Sequence, residues 1–135
     1  MSDRGAVEVE FANEAFYVAF AAGDVKAMEE LWARTVPVTC IHPGWAPLFG
    51  RDDVMESWGA ILTGSGRPKI RVRNARVLLL GDAAYVVCHE VIERAFLVAT
   101  NVFVRENGAW KLVHHQAGET PPPPEQPREP RSTIQ

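Results

Sequence analysis

The spacing of hydrophobic and polar positions changes once along the chain, from helical recurrence before residue 64 to strand-like alternation after Pro68. Between residues 7 and 22 the apolar positions Phe11, Ala15, Val18 and Ala22, with Phe16 and Phe20 beside them, predict a helix with a broad apolar face. Gly23 ends that helix, Asp24 can cap the next, and Val25, Met28, Leu31 and Trp32 supply a second buried stripe that must stop before Pro37. Val38-Thr39-Cys40-Ile41 alternates and is β-branched, so it predicts a short strand, which His42-Pro43-Gly44-Trp45 breaks. Gly50 closes this loop, and Asp52 and Asp53 sit where acids complement a helix N-terminus. Val54, Trp58 and Ile61 then predict a third helix, stopped by Gly64-Ser65-Gly66.

From Ile70 onward every segment alternates as a strand, with turns at Gly81-Asp82, Glu93-Arg94 and, most specifically, Asn107-Gly108. Four antiparallel strands are expected, over residues 70–80, 83–92, 95–105 and 109–117. The third is apolar on both sides: Phe96, Val98, Thr100, Val102 and Val104 point one way, Leu97, Ala99 and Phe103 the other. Three short helices can cover one face of such a sheet, and a bare second face would aggregate. A homodimer through the convex face is therefore expected, with Val102, Val104, Trp110 and Leu112 in or near the contact.

Length and charge narrow this picture without redirecting it. The 135 residues suit a single domain, here placed at 1–118, and the segment 119–135 is too rich in proline and charge to order itself. No apolar run reaches the roughly 20 residues of a membrane span, and the acidic N-terminus lacks the pattern of an export signal, so a cytoplasmic location is expected. With a net charge of −3, and with Arg67, Lys69, Arg71, Arg73 and Arg76 alternating as a solvated face, nucleic acid is not an expected partner. Cys40 and Cys88 both lie in apolar strand contexts and are expected to be small buried residues rather than a disulfide or metal pair.

The candidate chemistry lies on the strands and on the 42–58 loop. Ala84, Val86, Cys88 and Glu90 share one strand face, so Glu90 either stands as an acid in apolar surroundings with a raised pKa, or pairs with an arginine such as Arg73 or Arg94. Asn101 interrupts an otherwise apolar face, and a buried amide needs partners or a ligand. His42, Trp45 and Trp58 are either pocket residues or, respectively, a turn residue and two core aromatics. By strict alternation Trp110, Leu112, His114 and Gln116 face one way on the last strand and Val113, His115 and Ala117 the other. No nucleophile motif, phosphate loop or dinucleotide fingerprint is present, no local metal-ligand spacing occurs, and neither a cofactor nor a metal is expected.

The segments NEAFYVAFAAGDVKAMEELW, HPGWAPLFGRDDVMESW and NVFVRENGAWKLVHHQAG, in the order helix, helix, strand, helix, meander, resemble the nuclear transport factor 2-like superfamily in its SnoaL-like branch. The resemblance implies an α+β cone of three N-terminal helices packed on a curled antiparallel sheet, a largely apolar interior, and a dimer through the opposite sheet face. It also implies that His115 faces the cone and His114 the dimer side. The tyrosine–aspartate pairing of the related isomerases and the His-Asp pair of the dehydratases are not evident by position, so no particular reaction carries over. The resulting expectation is a small-molecule pocket protein in which Glu90 and His115 perform acid–base catalysis, of isomerase, cyclase or dehydratase kind, on a small apolar carbonyl compound. His42, Trp45, Trp58 and Asn101 would hold that ligand. The alternative is a non-catalytic ligand-binding or dimeric assembly module.

Overall fold

The computed structural model describes residues 2–124; the proline-rich tail expected over 119–135 thus lies largely outside the described residues. Helix α1 spans Ser2–Ala22 and α2 spans Val25–Leu31, with Gly23 at positive φ between them and the Asp24 carboxylate accepting the Ala27 amide at 3.0 Å. Strands β1 (Thr39–Ile41) and β2 (Leu48–Phe49) precede α3 (Arg51–Thr63), so the third helix is interleaved with strands rather than joined to the first two. Strands β3 (Ile70–Leu80), β4 (Ala83–Ile92), β5 (Ala95–Glu106) and β6 (Ala109–Glu119) follow.

Among the described residues the sheet has six strands, in the order β2-β1-β6-β5-β4-β3. It is mixed rather than purely antiparallel, because β1 runs parallel to β6, setting Cys40 beside His115. The three-residue β1 is too short to declare its direction in sequence, and the two-residue β2 sits inside the expected loop. At the far end the backbone amide of Thr120 still bonds the Phe96 carbonyl, at 3.2 Å, so the ladder runs past the expected boundary at Gly118. Asn107 and Gly108, both at positive φ, make the tight β5–β6 turn that their sequence demands.

Two details of facing depart from simple periodicity. Phe11 and Val18 are 69% and 60% exposed, and α1 instead buries Val9, Asn13, Phe16, Tyr17 and Phe20. The helix is apolar nearly all round, so its period could not choose a face; the polar heads of Asn13 and Tyr17 choose it, because they find partners inside. On β6 the pairing slips by one residue: Phe103 opposes Leu112, but Val102 opposes His114. This bulge at Val113 lets Trp110 and Leu112 point inward together with His115 and Ala117. Trp110 and Leu112 therefore belong to the core and not to the outer face assigned to them by strict alternation.

The interior is filled by the inward residues of β4 and β5, namely Ala84, Val86, Cys88, Ala99 and Phe103, under α1 and α3. Arg51 fastens the end of α2, donating to the carbonyls of Glu29, Trp32 and Ala33. Glu106 fastens the following connector by accepting the amides of Arg34 and Thr35 and the Thr35 hydroxyl, and those bonds hold its carboxyl below the usual range. With both ends of this segment fixed, β1 delivers His42 to the interior.

Candidate functional site

Between α1, α3 and the inner sheet lies a cavity of about 170 Å³. Phe20, Ile61, Ile92 and Leu97 give it apolar walls, with Pro43, Trp45 and Pro68 contributing as well; its polar groups are His42, Glu90 and His115. Trp45 is 46% exposed whereas Glu90 and His115 are 2% and 1% exposed, so the space runs from a rim at Trp45 inward to the acid and the imidazole.

Glu90 is placed by the alternation of β4, opposite Leu97 of β5. Among the described residues no arginine reaches it, and its hydrogen-bond donor is Tyr17, whose hydroxyl gives its proton to Oε2 at 2.6 Å. Burial pushes the Glu90 carboxyl up to about 7, against a smaller opposing pull from the Tyr17 hydrogen bond. His115 Nε2 stands 3.9 Å from the same oxygen. Burial holds His115 down to about 3, with the neighbouring His42 and His114 adding to the effect, so at neutral pH the contact is one between a carboxyl group and an uncharged imidazole. Burial also raises the Tyr17 phenol well above its ordinary value and lifts the thiols of Cys40 and Cys88 to about 12 and about 11. Of these groups, only Glu90 changes charge near neutrality.

The remaining candidates divide by position. Asn101, fully buried on β5, does not line the cavity; its Oδ1 meets His115 Nδ1 at 2.6 Å and its Nδ2 donates to Asn13 Oδ1 at 2.8 Å and to Tyr17 Oη at 3.1 Å. Every polar atom of that amide is thus occupied by protein, and none is left for a ligand carbonyl. Trp58 does not appear in the cavity wall but backs it, with ring centroids 4.8 Å from His42 and 5.8 Å from His115. His42 and Trp45 meet edge to face at 4.7 Å. The Ser57 hydroxyl spends its proton on the Val54 carbonyl at 2.7 Å, so it must accept from His42 Nε2 at 2.9 Å, and burial lowers His42 to about 4. His114 faces away, paired at 2.6 Å with the Thr39 hydroxyl. Among the described residues no three His, Cys, Asp or Glu side chains are gathered to hold a metal ion.

Asn13, Tyr17 and Ser57 were not singled out from sequence. The signal for the first two was present: two polar heads four residues apart on a helix otherwise apolar on that side. Ser57, one residue before Trp58, carried no such mark.

Comparison with known proteins matches residues 9–120 to the SnoaL-like domain. A crystal structure of a putative dehydratase from the NTF2-like family of Streptomyces avermitilis is 32% identical, with a TM-score of 0.82 over 90% of this chain and 100% of that one. A putative calcium/calmodulin-dependent protein kinase type II association domain from Thiobacillus denitrificans is 33% identical, with a TM-score of 0.74 over 83% of this chain and 94% of that one. The F-box protein SKIP8 of Arabidopsis thaliana is 30% identical over 108 residues, which make up 78% of this chain and 46% of that protein. The chain thus spans about half the length of the curated relative it matches. No described helix is long and apolar enough to cross a membrane.

Proposed function

The chain belongs to the SnoaL-like family of nuclear transport factor 2-like proteins, and from its interior we propose that it binds a small, mostly apolar carbonyl compound and performs acid–base chemistry on it, with dehydration the reaction that the groups fit best. The observation that carries this reading is the facing of Glu90 Oε2 and His115 Nε2, 3.9 Å apart, at the inner end of a cavity with a rim to solvent. An apolar cavity of about 150 Å³ takes up benzene in another protein, so about 170 Å³ suits a ligand of one small ring or a short branched chain. Among the described residues no lysine or arginine lines the space, which disfavours a carboxylate or phosphate ligand.

The protonated Glu90 is an acid and the bare Nε2 of His115 a base. On a β-hydroxy carbonyl compound, His115 Nε2 takes the proton from the carbon beside the carbonyl as the Glu90 carboxyl gives its proton to the leaving hydroxyl. A carbon–carbon double bond forms, the carbon–oxygen bond breaks, and water leaves. The imidazolium and carboxylate that remain return to the starting state when the proton passes from His115 to Glu90. The Streptomyces avermitilis relative carries the description of a putative dehydratase, in keeping with this reaction class.

The test is a panel of small β-hydroxy ketones, followed by absorbance of the conjugated product. The reading expects turnover that falls as the pH rises through about 7, where Glu90 gives up its proton, and that persists on the acid side until the histidines charge toward about 4 and about 3. If no member of the panel reacts or shifts the melting temperature, the reading fails.

A second reading, assembly through the outer sheet face, rests on a different observation. Tyr85, Val87, Phe96, Val98, Val102 and Val104 are only partly buried on that face, with no helix among the described residues packed over it. The association-domain relative is in keeping with it. Val102 lies between Tyr85 and His114. Light scattering at micromolar concentration should give a dimer that Val102→Glu splits by stranding a charge in the contact. A monomeric parent protein would contradict it.

A further inference from the structure

We propose that Asn101 is a positioning residue whose amide orientation, dictated by the single proton of the Tyr17 hydroxyl, holds His115 as the Nδ1–H tautomer and so leaves Nε2 bare toward Glu90. The inference deepens the acid–base reading above and rests on it for its catalytic meaning, although the tautomer itself can be observed without any substrate.

Tyr17 Oη lies 2.6 Å from Glu90 Oε2 and 3.1 Å from the Asn101 amide. An ionised carboxylate is acceptor only, so the hydroxyl spends its one proton there and can offer Asn101 nothing but a lone pair. The atom of Asn101 facing Tyr17 must then be the nitrogen, which in the same orientation reaches Asn13 Oδ1 at 2.8 Å. That leaves the carbonyl oxygen turned to His115, 2.6 Å from Nδ1, and an oxygen there accepts only from a protonated Nδ1. The uncharged ring has one proton to place, so Nε2 is left with its lone pair, 3.9 Å from Glu90 Oε2. Each group is at most 4% exposed, so water does not compete freely for these positions.

The opposite arrangement is internally consistent in only one way. With the Asn101 amide turned over, Tyr17 would donate to Asn101, His115 would carry its proton on Nε2, and Glu90 would exchange a donor at 2.6 Å for one at 3.9 Å, beyond hydrogen-bond distance. An ionised Glu90 would then be stranded, so the turned-over lattice is excluded whenever the carboxylate is charged. The groups that face the pair from the other elements do not disturb this arrangement: Tyr17 from α1, Cys40 from β1, His42 beyond β1, and Cys88 from β4 hold no charge near neutral pH, because burial moves each away from it. Within the arrangement Asn13 serves as the acceptor that keeps Asn101 turned the right way, and Tyr17 as the donor that fixes one oxygen of Glu90.

Ring-nitrogen NMR of the ¹⁵N-histidine-labelled full chain tests this directly. At pH 8, with Glu90 ionised, His115 should show a protonated Nδ1 and an unprotonated Nε2, favoured by roughly tenfold or more because the other tautomer strands an acceptor. The same tautomer is expected at pH 6, because a Glu90 that carries its proton on Oε1 still accepts from Tyr17 at Oε2. Asn101→Asp should move the ring toward the imidazolium, since a carboxylate against Nδ1 favours the charged form. Asn101→Leu should let the tautomers mix by removing the acceptor. A protonated Nε2 in the parent protein at pH 8 would overturn the proposal, even if neither variant folds, and so would an Asn101→Asp spectrum indistinguishable from the parent's. A failure of the dehydration reading would appear as missing turnover with the tautomer intact, and the two outcomes are therefore separable.

Discussion

At pH 8 the Glu90→Gln variant should melt well above the parent protein, and the gain should disappear as the pH is lowered to 4.5. In the unfolded chain the carboxyl ionises near 4.5, whereas burial in the fold holds it to about 7. Between those values the folded state keeps a proton that the unfolded state has lost. Stability contributed by this group is therefore full below 4.5, declines as the pH rises, and is gone above about 7. At about 1.4 kcal/mol per pH unit the interval is worth roughly 3 kcal/mol, on the order of 10 °C in melting temperature for a domain of this size. Glutamine matches the shape, its oxygen can accept from Tyr17, and it has no charge to desolvate. The buried histidines act in the opposite sense, their contribution being full above 6.5 and lost as the pH falls toward about 4 and about 3. They are the same in both proteins and cancel in the comparison. Thermal unfolding of the two proteins at pH 4.5, 6 and 8 checks this, and a Gln variant less stable than the parent at pH 8 would show that Glu90 holds the fold together as an ion.

The same substitution should abolish most of the catalysis. Removing the acid with Glu90→Gln, or the base with His115→Asn, is expected to lower turnover on the order of 10²- to 10⁴-fold, the range of a positioned acid–base group. Because the two groups hand one proton back and forth, the double variant should be little worse than either single one. Steady-state rates on the reactive members of the β-hydroxy ketone panel read this out. Losses that multiply in the double variant would mean that the two side chains act separately. A Glu90→Gln protein that is more stable and inactive would show that the cost of burying this acid is retained for chemistry.

What could be read from sequence follows the strength of each local signal. Long alternating strands bounded by Gly81-Asp82 and Asn107-Gly108 leave little choice of pairing, and the same alternation places Glu90 inside with Cys88 and Val86. A bulge has no comparable mark. The slip at Val113 sends Trp110 and Leu112 into the core, and strict alternation cannot place both of them on the same side as His115. On α1 the difficulty was an excess of signal, since a helix apolar all round can bury either Phe11 or Phe16, and what decides is the set of partners waiting for Asn13 and Tyr17. Asn101 was legible as a buried amide in need of partners, but apart from His115, opposite it on β6, those partners proved to be protein groups 84 and 88 residues away in sequence. Such separations are beyond any local pattern.

Carbon-13 NMR titration of the Glu90 side-chain carboxyl in the ligand-free protein, assigned with the Glu90→Gln variant, shows whether the interior holds a carboxyl group shielded from water and facing an uncharged imidazole. A midpoint near 7 is expected, with His115 remaining uncharged through that transition. A midpoint between 4 and 5, or a His115 ring that gains its proton as Glu90 loses one, would contradict it.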